Sequence, residues 1–166
     1  MKVLALDLST KSTGWAFFDG KRLIDYGCIV TTNSNVLTRI TTIVEQLEIV
    51  HNKYLPQEII VEEVLPDDVG HNSAVYKALM YLQGAVAVCF NKYGKKLEFF
   101  TASEWRKKCG IRTGRGIKRD ALKAADMKFV EDHYKIVAND DICDAICIGY
   151  AYVNKEIITE DGFEFK

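Results

Sequence analysis

The chain has 166 residues, of which 48% are hydrophobic and 27% charged, with 11 glycines, two prolines and a net charge of −1. These are the proportions of an ordinary globular protein, and the length predicts a single domain over residues 1–166. No apolar run approaches the roughly 20 residues that a membrane span requires, and Asp7 and Lys11 interrupt the N-terminal apolar stretch before it could act as a signal peptide, so a cytoplasmic location is expected.

In chain order, the apolar run Val3-Leu4-Ala5-Leu6 predicts a buried strand over 3–8, ended by a carboxylate at Asp7. "STKST" turns the chain into a second strand over 14–19, and Gly20 turns it again into a third over 22–30, giving an antiparallel meander. The polar "TTNSN" supplies caps for a helix over 36–54, with Leu37, Ile40, Ile43, Val44, Leu47 and Val50 at helical spacing. "EIIVEEV" predicts a strand over 58–64. A loop with Pro66, Asp67, Asp68 and Gly70 leads into a long helix over 73–93, ended by Gly94. "KLEFFT" is a fifth strand over 96–101. The short helix "SEWRKK", a glycine-containing basic loop, a helix over 118–132 and an apolar helix over 141–154 complete the chain.

This β-β-β-α-β-α-β-α-α order predicts an α/β fold: a mixed five-stranded sheet, three strands as a meander and two added in parallel, flanked by helices. It fits an RNase H-like architecture. The five cysteines, at 28, 89, 109, 143 and 147, are odd in number and form no C-x-x-C pair, so disulfides are not expected. His51, His71 and His133 show no metal-ligand spacing relative to Cys143 and Cys147, which speaks against zinc.

Carboxylates stand at three awkward places. Asp7 ends the first strand, Glu62 and Glu63 end the run Ile59-Ile60-Val61, and "NDDICDAICIGYAY" opens the last helix with acids. Successive strand side chains face opposite ways, so only one of Glu62 and Glu63 can share a face with Asp7. Asp141 and Asp144, three apart, lie on one helical face, and Asp140 is four from Asp144. Each acid alone has a structural explanation, such as capping, the helix dipole or a solvent-facing strand end. Together they predict a convergent acidic site. Like charges that close repel unless divalent cations neutralise them, and oxygen donors without His or Cys suit Mg²⁺ or Mn²⁺. Two such ions about 4 Å apart are a standard device for attack of water on a phosphodiester.

With "LALDLSTKSTGWAFF", "IIVEEV" before a long Ala- and Gly-containing helix, and "DDICDAICIGYAY" in this order, the sequence resembles the RuvC-like Holliday junction resolvases, particularly the short bacteriophage forms. The resemblance covers nearly all of the chain up to its last dozen residues. It implies a metal-dependent endodeoxyribonuclease that resolves Holliday junctions and related branched DNA in recombination and repair, with Asp7, Glu62, Asp141 and Asp144 as catalytic metal ligands. For a phage-encoded enzyme the compartment is the bacterial host's cytoplasm. The resemblance also implies a Lys near the site that assists cleavage, with Lys118 the first candidate and Arg119 and Lys123 next. A wedge Phe that bacterial members carry after the Glu is replaced here by Leu65-Pro66; Tyr76 and Tyr81 are the nearby aromatics.

Between Trp105 and Lys123 stand eight Lys or Arg and one acid, a local concentration that the net charge conceals. Arg106, Lys107, Arg112, Arg115, Lys118, Arg119 and Lys123 are the candidate DNA contacts, and Gly110, Gly114 and Gly116 would let the backbone approach phosphates. A junction is nearly two-fold symmetric and cutting it symmetrically calls for two active sites, so the resemblance chiefly implies a homodimer; the helix "SAVYKALMYLQGAVAVCF" is apolar over enough of its circumference to supply the contact. Two other readings share features of the sequence. "DLSTKSTG" is similar to the phosphate loop of actin-like kinases, which use two domains of this architecture, and RNA–DNA hybrid cleavage uses the same carboxylate chemistry.

Overall fold

A computed structural model describes residues 1–66 and 72–155. The predicted loop residues Asp67, Asp68 and Gly70, and His71, lie outside the described residues. The strands are β1 (Lys2–Asp7), β2 (Ser12–Asp19), β3 (Arg22–Val30), β4 (Glu58–Glu62) and β5 (Leu97–Phe100). The helices are α1 (Val36–Tyr54), α2 (Ser73–Asn91), α3 (Ala102–Lys108), α4 (Arg119–Tyr134) and α5 (Asp140–Val153). One five-stranded sheet runs in the order β3-β2-β1-β4-β5, antiparallel across the first three strands and parallel from β1 through β4 to β5. The expected meander plus two parallel strands is therefore the observed sheet.

Alternation along each strand sorts the core into two layers. Val3, Ala5, Ala16, Phe18 and Ile60 point to one face, where the nearly all-buried α5 packs together with Trp105, Phe129 and Val130. Leu4, Leu6, Ile59 and Val61 point to the other, against Ile40, Ile43 and Leu47 of α1 and Leu82, Val86 and Phe90 of α2. Burying strand β1 on both faces is what requires its unbroken apolar run.

Local chemistry fixes the helix starts. Asn35 and Asn139 cap α1 and α5 through their side-chain oxygens, and Thr101 with Glu104 forms a reciprocal capping box on α3. Gly149 lets α5 descend onto the sheet, since a Cβ there would stand 2.2 Å from the ring of Phe18.

Helix α2 corrects one expectation. By length and composition its 19 residues would suffice to cross a membrane, contrary to the expectation that no stretch comes near that length. Leu82, Val86, Cys89 and Phe90 bury one side of it in the core, and Lys77, Tyr81, Gly84, Val88 and Asn91 form an exposed stripe on the other.

Candidate active site

The parallel register pairs Leu6 with Val61, so the next residues along, Asp7 and Glu62, end adjacent strands side by side. Asp7 shares the face of Val3 and Ala5, and Glu62 the face of Ile60, so both carboxylates look toward α5. Glu63 points the other way, with an exposed side chain and its backbone N–H given to Phe100 O at 2.8 Å. Strand parity thus separates the two glutamates that the sequence left open.

The first turn of α5 supplies the other acids. It approaches the sheet over Gly14, which pairs with Asp7 on β2; a Cβ at Gly14 would lie 1.9 Å from the carbonyl oxygen of Asp141. Asp7, Glu62, Asp141 and Asp144 all line one cleft of about 1370 Å³. Its walls include the Ser9–Lys11 turn, Arg39, the start of α2, and Arg106, Arg119 and Lys123. The turn is braced by Thr13 Oγ1, which donates to Ser9 O at 2.7 Å, and by Thr31 Oγ1, which donates to Thr10 O at 2.8 Å.

Electrostatics record the crowding. Burial, followed by the charges of Glu62, Asp144 and Asp141, holds the Asp7 carboxyl well above the usual aspartate range. Burial, with the neighbouring Asp126 and Glu62, pushes Asp144 up to about 8. Asp144 is 9% exposed, and its Oδ1 is buried with no hydrogen-bond partner. Asp140 behaves differently: Lys123 donates to it and holds it below the ordinary value. It is an ion-pair partner, and it is not among the cleft-lining residues.

Among the described residues, no three His, Cys, Asp or Glu side chains are already drawn into a finished metal cage; the acids line the cleft as separate oxygen donors. Their chemistry fits a hard divalent cation. The set is all carboxylate, two of its members are strongly disfavoured as bare anions, and one buried oxygen is unpartnered.

Three residues that bear on these acids escaped the sequence reading. Ser12 Oγ donates to Asp141 Oδ2. The Trp105 indole N–H donates to Glu62 Oε2 at 2.9 Å. Asp126, fully buried, takes Nε and Nη2 of Arg106 at 2.8 to 3.1 Å and lies beside Asp144. The signal for Asp126 was present: Leu122, Asp126, Phe129 and Val130 fall on one helical face, which places an acid among apolar residues. No local pattern marks Ser12 or Trp105.

The basic segment divides in two. Lys107, Arg112, Arg115, Lys118 and Arg119 are exposed. Arg106 is committed to Asp126, with its side chain 12% exposed. Lys118 takes the N-cap position of α4 and does not line the cleft, whereas Arg119 and Lys123 do.

The family model for crossover junction endodeoxyribonuclease RuvC matches residues 3–152. No curated protein matches the sequence. Among solved structures, Thermus thermophilus RuvC in complex with a Holliday junction substrate superposes with a TM-score of 0.73 at 14% identity, over 91% of each chain. The yeast mitochondrial Holliday junction resolvase gives 0.59 at 12% identity, over 91% of this chain and 77% of that one. The fowlpox virus resolvase, in complex with Holliday junction DNA, gives 0.57 at 16%, over 92% and 97%.

Proposed function

The chain belongs to the RuvC family of crossover junction endodeoxyribonucleases and is a junction-resolving DNA endonuclease; we propose that it cuts with Asp7, Glu62, Asp141 and Asp144 as the ligands of two Mg²⁺ or Mn²⁺ ions. The observation that supports this assignment is that four acids from two strand ends and one helix start line a single cleft. Enzymes of this family are metal-dependent nucleases. When bound, divalent ions neutralise the carboxylates, activate the attacking water and stabilise charge on the scissile phosphate.

The protein's own residues do the rest. Asp7 and Glu62, rigid on neighbouring strands, form the floor, while Asp141 and Asp144 close the site from α5. Ser12 orients Asp141 by donating to Oδ2. Lys123, at the cleft wall and paired with Asp140, is our choice for the assisting cation in place of Lys118, because its charge already acts on Asp7. Arg119 in the cleft and Lys107, Arg112, Arg115 and Lys118 beyond it are placed to hold the DNA backbone by phosphate contacts, which fix register without reading sequence.

Branched DNA is the substrate class, and we infer that a homodimer presents two such sites to the two strands cut. The test is a panel of four-way, three-way, flap and RNA–DNA hybrid substrates with Mg²⁺ or Mn²⁺. Asp7→Asn and Glu62→Gln are expected to reduce four-way junction cleavage to background while leaving junction binding intact. Full activity in either variant would remove that residue from the catalytic set, and preferential cutting of hybrids would move the substrate from DNA junctions to RNA.

A further inference from the structure

Helix α3 has seven residues, and two consecutive ones reach different acids, Trp105 the cleft-lining Glu62 and Arg106 the buried Asp126 beside Asp144. Trp105 is wholly buried, and its indole N–H, the side chain's only hydrogen-bonding group, is given to Glu62 Oε2 at 2.9 Å. Arg106 folds back so that its guanidinium carbon lies 4.2 Å from the centre of the Trp105 ring. From there it forks onto both oxygens of the fully buried Asp126. The indole is thus packed in the core, covered by a guanidinium that is itself anchored from α4, and aimed at one carboxylate.

We propose that Trp105 is a positioning residue for Glu62, holding its carboxylate in the orientation in which it takes a divalent cation, with the Arg106–Asp126 ion pair as the strut that holds the indole in place. The proposal rests on the assignment of Glu62 as a metal ligand. The physical case is one of degrees of freedom. A glutamate at a strand end has three rotatable side-chain bonds, and a cleft lined with other acids pushes its carboxylate away. The N–H of a rigid, buried ring opposes that push and restricts the rotation of the group before any cation arrives. Partners of this kind, which touch the ligand and not the ion, commonly set metal affinity by about 10- to 100-fold. An alternative role, in which Glu62 serves only to satisfy a buried indole N–H, predicts an effect on folding and none on cation binding.

The experiment compares Trp105→Phe, and position 105 carrying the benzothienyl analogue of tryptophan in which sulfur replaces the N–H, with the wild type and Glu62→Gln. Mn²⁺ binding to the DNA-free protein is measured by calorimetry, thermal midpoints are recorded without metal, and junction cleavage is followed against Mn²⁺ concentration. Both Trp105 replacements are expected to bind Mn²⁺ about 10- to 100-fold more weakly, with the half-saturating Mn²⁺ concentration raised and the rate at saturating Mn²⁺ restored close to that of the wild type. If Trp105→Phe fails to fold, the sulfur analogue decides alone. Wild-type Mn²⁺ affinity in the analogue overturns the proposal, because ring packing alone then suffices. Wild-type affinity in Glu62→Gln overturns it together with the ligand assignment, which separates the two failures.

Discussion

At the scale of the residue, the informative quantity is how far the site holds its acids from their ordinary behaviour. Asp144 is raised to about 8 by burial and by Asp126 and Glu62, so its folded pKa lies above the unfolded value of about 3.9. Between those two values the folded chain binds the proton that the unfolded chain has released, and stability falls as pH rises. Asp7 is shifted in the same direction. The metal-free protein is therefore expected to lose thermal midpoint steadily from about pH 4 to about pH 8, the window set by these pKa values, and saturating Mg²⁺ should flatten the slope. Thermal melts in chelator at pH 5 and pH 8 check this, with Asp144→Asn showing the smaller drop. An equal drop in that variant would mean that the crowding is relieved elsewhere.

At the scale of the element, the basic segment is a sequence feature whose parts have separated in space. Arg115, Lys118 and Arg119 are all exposed, between the end of α3 and the first turn of α4. Neutralising the three together is expected to weaken junction binding and to reduce the slope of log affinity against log salt by about 2 to 3. An unchanged slope would show that the phosphates lie elsewhere, on Lys11 and the opposite wall of the cleft. The elements themselves were largely legible, because long periodic runs, Asn caps and glycine stops are local signals. Glu62 over Glu63 became decidable once the register of β1 with β4 was known, since parity then assigns faces. The pairing of Asp140 with Lys123 was not legible, nor were the contacts of Ser12 and Trp105, because each joins residues 17 to 129 positions apart and nothing local encodes such a meeting. Arg106 shows the same limit, a cation counted with the DNA contacts that the fold has committed to a buried aspartate.

At the scale of the whole molecule, the four acids of one chain line a single cleft, while resolving a four-way junction means cutting two equivalent strands. A monomer would nick one strand and then have to dissociate and rebind before cutting the other; a symmetric dimer cuts both in one encounter. A surface suited to self-association is the outer stripe of α2, where Tyr81 is 48% and Val88 74% exposed, with the side-chain-free Gly84 between them. An isologous contact along such a stripe sets the same patch against itself, so that every contact between two residues occurs twice, and a small residue at the centre lets two helices approach closely. Such a dimer would account for the apolarity that gives α2 the composition of a membrane span, with a partner on one side and the core on the other. Equilibrium sedimentation of the wild type is expected at twice the mass of one chain. Tyr81→Glu combined with Val88→Glu should sediment as one chain and yield singly nicked junctions in place of paired cuts, with the cleft untouched. A wild type that sediments as one chain and still cuts both strands in a single encounter would show that the junction itself, by binding two copies side by side, supplies the symmetry that the free protein lacks.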